Sequence, residues 1–420
     1  SESPQALGHP GLPPWWPFFV PAAKKLHSLC SKNSCAAGAG CKVTPGTMQG
    51  MDQALAQITE RVRAAVADQT PLRIRGGGTK DFHGRALRGD VLDTRLLSGI
   101  TSYEPSELVI TARAGTPLAE LEAALAAKGQ CLPFEPPHFS PGATVGGMVA
   151  AGLSGPARAS VGAVRDYVLG VSLINGKAEP LTFGGQVMKN VAGYDVSRLM
   201  AGSWGTLGLL TEVSLKVLPV APAEATLRFE CNQADALRKL HAWGGQPLPL
   251  NASCWVQDGG VGTLYVRLRG AVAAVQAACK SMGGTLLDNA TTAPDWSACR
   301  DHTLPWFAQR AQQPDLALWR LSLPATAPVL ALPAAAQPLV EWHGALRWVQ
   351  APASAGDALR AAAEAVGGSA SVFVAASADP ESASGQFDPK SAALAQIHAR
   401  VKQAFDPAGI FNPGRLAAAW

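Results

Sequence analysis

The stretch Leu72–Lys80 reads Leu-Arg-Ile-Arg-Gly-Gly-Gly-Thr-Lys, and it decides the fold of the chain. Its first four residues alternate apolar and charged side chains, which is the period of a half-buried strand. The three glycines that follow allow the backbone to turn through positive φ without a Cβ clash. Consecutive N–H groups in such a loop form an anion site, beside which Arg75 and Lys80 place positive charge. The stretch predicts a strand that leads into a diphosphate-binding loop, although alone it also fits a glycine-rich hairpin turn.

The composition of the 420-residue chain indicates a globular protein of two or three domains. Hydrophobic residues make up 47% of the chain and charged residues only 16%, which suffices for sizeable cores. The net charge of +4 is small for this length, and the basic residues are scattered. We therefore expect no nucleic-acid partner, because nucleic-acid binding requires a concentrated basic surface.

The eight cysteines include no C-x-x-C pair and no four-cysteine cluster of the kind that holds zinc or an iron–sulfur centre. Cys30, Cys35 and Cys41 are loosely spaced among small residues and lysine. We interpret these three as unpaired thiols in a flexible segment rather than as metal ligands. The sequence thus predicts neither an iron–sulfur centre nor a metal site.

The N-terminal part of the chain shows no membrane or export signal. Prolines between residues 13 and 21 interrupt the apolar patch there, so no apolar run approaches the ~20 residues that span a bilayer. Lys24 and Lys25 follow this patch, whereas a secretory signal places its positive charges first. We expect a cytoplasmic protein that reaches a membrane only through partners. Residues 1–50 lack periodicity and are expected to be a disordered extension or a start-site artefact.

Residues 51–223 are expected to form a first domain that opens with alternating helices and strands. An apolar stripe from Leu55 to Val66 predicts a helix from Asp52 that ends near Asp68. Thr116, followed by proline, is predicted to cap a second helix that stops at Gly129.

From Glu224 the pattern predicts a second, α+β domain over residues 224–395, with a mixed sheet and helices on one face. The Pro/Ala-rich segment Leu323–Pro338 reads as an irregular connection. A helix over Ser391–Phe405 is expected to return the chain to the first domain, so that residues 396–420 belong with it.

Two further glycine-rich stretches accompany the first loop, Pro136–Pro156 and Met188–Leu209. In the former, Thr144 is placed to start a short helix over Val145–Ala151. The two glycines of this helix permit close backbone approach, either to a cofactor or to a packed sheet.

Six motifs, in their order and spacing, resemble the FAD-binding domain of the vanillyl-alcohol oxidase (PCMH) type. They are Arg-Gly-Gly-Gly-Thr (75–79), Ala-Thr-Val-Gly-Gly (143–147), Val-Arg-Asp-Tyr-Val (164–168), residues 189–195, Gly-Thr-Leu-Gly (205–208) and the closing residues 406–415. Within that family, the chain from Met51 onward is most similar to the E subunits of bacterial glycolate oxidases. The resemblance implies an α+β fold, with a two-subdomain FAD-binding domain and an α+β cap domain.

The resemblance also implies which residues hold FAD. The diphosphate loop would be Arg75, Gly76, Gly77, Gly78, Thr79 and Lys80, and the dinucleotide would be lined by Pro137, Gly142, Ala143, Thr144, Gly146, Gly147, Ser154 and Gly155. Gly205, Gly208 and Leu209 would bring backbone atoms to the flavin, and Asn412 and Arg415 would close the site. Relatives that tether FAD carry a histidine where Thr79 stands, so non-covalent FAD is expected.

The residues do not single out one catalytic base. Several 2-hydroxyacid-oxidising relatives place it in a histidine-rich metal motif, and from His83 onward no two histidines lie within one motif's length. His343 and His83 are single candidates; the former is more typical of a packed or surface residue, and the latter is expected to be solvent-exposed. Trp204 stands where many relatives carry an acidic residue.

Two hypotheses follow for the function. The chain is either a redox-active FAD subunit that oxidises glycolate or another small 2-hydroxy acid, or a flavin-binding structural subunit beside a homologous subunit that does the oxidation. A standalone oxidase that reacts with oxygen is a third possibility. The resemblance implies two partners, a homologous flavoprotein D subunit and an iron–sulfur F subunit that accepts the electrons.

Overall fold

A computed structural model describes residues 45–84, 87–185, 194–258, 260–333, 336–377 and 391–417. The expected extension up to residue 44 and motif residues 189–193 lie outside these ranges. Helices and strands alternate in the first half of the chain, and one large antiparallel sheet dominates the second. The predicted α+β class is confirmed.

The first subdomain packs one long helix against a two-stranded parallel sheet. Its elements are α1 (Pro45–Asp68), β1 (Leu72–Arg75) and β2 (Asp90–Asp93). The apolar stripe of α1 forms a core with the strands, in which Val62 and Leu72 are almost fully buried. The helix ends at Asp68 as predicted but begins at Pro45 rather than Asp52. Proline is tolerated in a first helical turn, and no other proline follows within the helix.

The second subdomain is built on a five-stranded antiparallel sheet with the order β3-β4-β8-β6-β7. The strands of this part are β3 (Ile100–Glu104), β4 (Val109–Arg113), β5 (Gln130–Cys131), β6 (Val168–Ile174), β7 (Pro180–Gly184), β8 (Leu209–Lys216) and β9 (Leu218–Pro219). The helices are α2 (Leu118–Ala126), α3 (Val145–Ala151), α4 (Arg158–Val161) and α5 (Val196–Met200). Apolar residues of α2 and α3 complete the core of the sheet.

The two helix starts predicted in this subdomain have different outcomes. Thr144 does cap α3, because its hydroxyl accepts a hydrogen bond from Gly147 N at 3.2 Å. The predicted cap at Thr116 is wrong. Pro117 occupies the N-cap position with an extended ψ of 131°, which moves the start of α2 downstream. The Thr116 hydroxyl instead accepts from Gly99 N at 2.9 Å and donates to Gly99 O at 3.1 Å.

The cap is an eight-stranded sheet with the order β13-β10-β12-β11-β15-β16-β14-β17. The strands are β10 (Ala223–Glu230), β11 (Leu250–Asp258), β12 (Val261–Gly270), β13 (Thr285–Leu287), β14 (Leu316–Ser322), β15 (Leu339–Glu341), β16 (Leu346–Pro352) and β17 (Ser369–Val374). The helices are α6 (Gln233–Gly244), α7 (Val272–Met282), α8 (Asn289–Asp301), α9 (Pro305–Ala308) and α10 (Gly356–Glu364). The described residues of 323–338 contain neither helix nor strand, as predicted.

Two expectations about this sheet are wrong. Each pairing between its described strands is antiparallel, so the sheet is not mixed. Its helices are also not confined to one face. On β14, Trp319 packs in the core that contains α10, whereas its neighbour Leu318 packs in the core that contains α8. Successive strand residues point to opposite faces, and here both are apolar, so both faces require cover.

The C-terminal segment packs against the first subdomain. Ser391 caps α11 (Ala392–Phe405) by accepting a hydrogen bond from Leu394 N. After the helix, backbone hydrogen bonds join Leu72 N to Ile410 O at 2.7 Å and Asn412 N to Leu72 O at 2.9 Å. The closing motif therefore lies alongside β1, directly before the glycine loop.

Candidate cofactor site and adjoining cavity

The glycine loop that follows β1 presents a run of uncommitted amides. Within the described part of the chain, the N–H groups of residues 76–80 donate to no other group, although these residues are only partly exposed or buried. Gly78 has a φ of +71°, which lets the loop turn back so that Asp81 N donates to Gly78 O. Buried amides normally find acceptors, so this run fits an anion such as a diphosphate.

The charged residues of the loop are arranged differently from the expectation. Arg75 is not directed freely at the loop, because its Nε donates to Asp81 Oδ2 at 2.7 Å. Lys80 is buried, with its Nζ 5.4 Å from the centre of the Phe139 ring. Burial lowers the pKa of Lys80 to about 8, and the charge of Asp301 opposes this shift. The positive charge of Lys80 is therefore less neutralised by a neighbouring carboxylate than that of Arg75.

A second loop packs against the first through bare backbone. A Cβ on Gly77 would lie 1.7 Å from Gly142 O, and a Cβ on Gly76 would lie 2.3 Å from Thr144 Oγ1. Gly77 does not have a positive φ, so close approach is the property that requires glycine there. The contact holds the amide run of the first loop against the N-terminus of α3.

Asn412 and Arg415, near the C-terminus, line the same cavity as the glycine loop. Asn412 Oδ1 accepts from Ile74 N at 2.8 Å, and its Nδ2 donates to Trp204 O at 2.7 Å. Arg415 donates to Lys80 O at 2.9 Å and lies over the Trp204 ring at 5.2 Å. The side-chain amide of Asn412 therefore links β1 to the loop that contains Gly205 through hydrogen bonds.

Most predicted FAD residues line one cavity of about 100 Å³. They are Arg75, Gly76, Gly77, Gly78, Thr79, Lys80, Thr144, Gly146, Gly147, Gly205, Gly208, Asn412 and Arg415. Pro137, Ser154 and Gly155 instead line an adjoining cavity. Gly142 and Ala143 line neither cavity, and the Leu209 side chain is fully buried in the core of the first subdomain. Only backbone atoms of Leu209 are therefore available to a cofactor.

The adjoining cavity has a volume of about 260 Å³ and lies between the first domain and the cap. Ala151 and Trp204 line both cavities, so the two are adjacent. Five aromatic side chains contribute to the wall of the adjoining cavity; they are Phe139, Trp204, Trp342, Trp348 and Phe373. An elongated cofactor can thus place one end on the amide run and a planar group among the aromatic rings.

His83 lies on the wall of the adjoining cavity, and the expected solvent exposure of this residue is wrong. Its side chain is only 6% exposed, and its ring packs 4.6 Å from the Trp204 ring. Nδ1 lies 3.0 Å from Phe373 O, and because a carbonyl only accepts, Nδ1 carries the proton and Nε2 the lone pair. Burial lowers the pKa of His83 to about 4, so the ring is neutral near pH 7.

His343 does not line this cavity. It stands in the left-handed region at φ +55°, and its two ring nitrogens lie 3.1 Å from Ser253 Oγ and 2.9 Å from Ser160 Oγ. Burial lowers the pKa of its imidazole to about 4. These contacts give His343 a role in joining the cap to α4 of the first domain.

Sequence reasoning missed two titratable residues of the cavity, His302 and Glu341. The His302 ring stacks on Phe307 at 4.4 Å, and burial lowers its pKa to about 3. Glu341 accepts from Trp348 Nε1 at 2.6 Å and from Cys299 Sγ at 3.2 Å. Burial raises the pKa of this carboxyl to about 7, although both hydrogen bonds oppose the shift. The signal that could have identified Glu341 is its charge at the end of an otherwise apolar strand, Leu339–Glu341.

Comparison with known proteins identifies the chain. The model of the FAD binding domain family matches residues 53–184. The glycolate oxidase subunit GlcE of Escherichia coli (strain K12) is 45% identical over 361 residues, which cover 86% of this chain and 97% of that protein. The chain belongs to the GlcE family. FAD is therefore the cofactor of the chain, which is an FAD-dependent oxidoreductase by family.

Other relatives match part of the sequence or share the fold. The glycolate oxidase subunit GlcD of Bacillus subtilis (strain 168) is 31% identical over 170 residues, which cover 40% of this chain and 36% of that protein. The solved structure of an alkyldihydroxyacetonephosphate synthase matches with a TM-score of 0.62 and 16% identity, covering 85% of this chain and 75% of that one. At that identity the structural match shows a shared fold alone.

The described residues contain no group of three or more histidine, cysteine, aspartate or glutamate side chains that could hold a metal ion. Among the same residues, no helix combines the length and the apolar character that crossing a bilayer requires.

Proposed function

We propose that the chain is the FAD-binding subunit of a glycolate oxidase or dehydrogenase complex that oxidises glycolate, or another small 2-hydroxy acid, to the 2-oxo acid. The observation that carries the proposal is the 45% identity to GlcE over almost the whole of that subunit. The two adjacent cavities support it, because the amide run at residues 76–80 borders one of them and His83 borders the other.

His83 is the residue best placed to take the proton of the substrate hydroxyl. The bound flavin supplies the acceptor for the hydride from the α-carbon. His83 donates through Nδ1 to Phe373 O, which fixes the ring and leaves Nε2 as its basic nitrogen. The ring is neutral at physiological pH, which is the form a base requires. His343 is the weaker candidate, because it lies outside the cavity lining.

The electrons then leave the chain. We propose that they pass to an iron–sulfur F subunit, that a homologous flavoprotein D subunit completes the complex, and that any membrane association comes through these partners. The relative named GlcD supports a glycolate oxidase of more than one subunit. Expressed alone, the chain should keep FAD but show little glycolate:dye oxidoreductase activity, and it should gain activity when purified with these partners. Robust turnover by the verified single subunit would overturn this dependence.

A non-catalytic flavin-binding role remains the second candidate. It is favoured by the lack of a metal-type histidine cluster among the described residues. The two roles differ in the effect of His83→Gln in this subunit of the assembled complex. A catalytic His83 predicts that kcat falls by about 10²- to 10⁴-fold, whereas a structural subunit predicts no change. His241→Gln, at an exposed position of α6, is the matched control.

A further inference from the structure

Three arginines that line the adjoining cavity, Arg158, Arg165 and Arg320, form no ion pair with a carboxylate of the described residues. The guanidinium groups of Arg320, on β14 of the cap, and of Arg158, at the start of α4, also form no hydrogen bond within the described chain. Both guanidinium groups lie over the Trp342 ring, with Cζ atoms 5.3 and 4.5 Å from its centre. Burial, and then the charge of Arg158, lower the pKa of Arg320 to about 10.

The acidic residues closest to these arginines are occupied by other partners. Glu341 accepts from Trp348 and Cys299 and does not reach Arg320 within ion-pair distance. Asp166 accepts from Ala163 N at 2.8 Å; burial lowers the pKa of Arg158, and the charge of Asp166 opposes this shift without an ion pair between them. The two arginines therefore repel one another and are attracted by these carboxylates only from beyond ion-pair distance. An anion from solution that bound between the two guanidinium groups would reduce this repulsion.

The two arginines come from different domains, and Trp342 joins those domains. Its Nε1 donates to Gly155 O at 3.0 Å, which fixes the indole of the cap against the loop of the first domain. Trp342, Gly155 and both arginines line the cavity that adjoins the proposed FAD site. A guanidinium group offers paired donors that match the two oxygens of a carboxylate.

We propose that Arg158 and Arg320, arranged around Trp342, bind the carboxylate of a small monocarboxylic acid. The limited cavity volume, about 260 Å³, favours a short acid over a long one. The identity of this acid as a 2-hydroxy acid rests on the proposed function, whereas the existence of the anion site rests on the unneutralised arginines.

The test titrates the flavin-loaded full chain with oxamate, a monoanion, and with oxamide, its neutral counterpart. Neither compound can donate a hydride, so binding is separated from turnover. Binding is followed by flavin absorbance and tryptophan fluorescence at constant ionic strength. We expect oxamate to bind at least about tenfold more tightly than oxamide, since a hydrogen-bonded charge is lost in the neutral compound.

Substitutions of the two arginines assign the site. Arg320→Gln should raise the Kd of oxamate about tenfold or more, and Arg158→Gln, at a more exposed position, about three- to tenfold. Arg320→Lys keeps the charge and should fall between wild type and Arg320→Gln. Arg228→Gln, an exposed arginine of β10 that pairs with Glu230, is the control and should leave the Kd unchanged.

Three results would overturn the inference: no oxamate binding by the folded wild type, equal binding of oxamide, or an unchanged Kd in the glutamine variants. If Arg320→Gln fails to fold, Arg158→Gln decides, because its side chain is exposed. Failure of the proposed function gives a different result. The assembled complex would then not oxidise glycolate while oxamate binding still responded to both arginine substitutions.

Discussion

Gly77→Val tests whether the glycine loop holds FAD in the way the structure indicates. A Cβ at this position would lie 1.7 Å from Gly142 O and 2.5 Å from Gly142 C. Since non-bonded carbon and oxygen atoms normally stay more than about 3 Å apart, the two loops would have to separate by roughly 1.5 Å. Overpacking of this kind costs about 1–3 kcal/mol, and valine adds two methyl groups to the conflict.

The same separation would disrupt the amide run, because the first loop is held in place by this contact. If the whole cost falls on the FAD-bound form, 1–3 kcal/mol corresponds to about a 5- to 150-fold rise in the Kd for FAD. The assay is the ratio of FAD to protein after gel filtration, together with the Kd from reconstitution of the apoprotein. We expect Gly77→Val to be purified largely without flavin, and Gly77→Ala to show a smaller loss.

Gly244→Val is the matched control for this experiment. Gly244 ends α6 in the cap, and a Cβ there meets no atom within 4 Å. Its FAD content should equal that of the wild type. The Tm of each apoprotein separates a folding defect from a binding defect. Full flavin content in folded Gly77→Val would refute the assignment of the loop.

Two further predictions concern attachment and pH. Because Thr79 offers no histidine for a covalent link, acid precipitation should leave the FAD in a yellow supernatant, and a coloured pellet would contradict this. Burial lowers the pKa of His83 to about 4 and the pKa of His302 to about 3, from 6.5 in the unfolded chain. Between pH 6.5 and these folded-state values, the unfolded chain therefore binds more protons than the folded chain. The contribution of the two neutral histidines to the free energy of unfolding should be fully present above pH 6.5 and should be lost as the pH falls below it. His302→Phe keeps the ring packing and should show a shallower loss of Tm between pH 7.5 and 5; parallel curves would argue against the histidine contribution.

The sequence predicted the cofactor loops better than it predicted the cap. Strands β11 and β14 and helix α8 were not anticipated. In β14 a charged residue, Arg320, interrupts an apolar run, and α8 contains Pro294, which ordinarily argues against a helix interior. Packing on both faces of the sheet stabilises these segments, and that packing has no local signature.

The burial of His83 could likewise not be predicted from the sequence around it. Its place in a loop predicted exposure, since loops usually run over the surface. The structure buries it because Phe373, 290 residues away on β17, supplies both a carbonyl acceptor and a packed ring. No hydrophobic pattern in the sequence near residue 83 predicts that contact.

The sequence by itself determined the glycine loops, the cap of α3 and the closing Asn412–Arg415 motif, because these depend on backbone freedom and on hydrogen bonds that particular residue types make. Only the tertiary structure decided which side chains border the flavin cavity. His302, Glu341, Arg158 and Arg320 are brought there by strands and helices that are distant in sequence. Their burial, pKa values and unneutralised charges arise from neighbours in space, and these neighbours exist only once the cap has folded over the first domain.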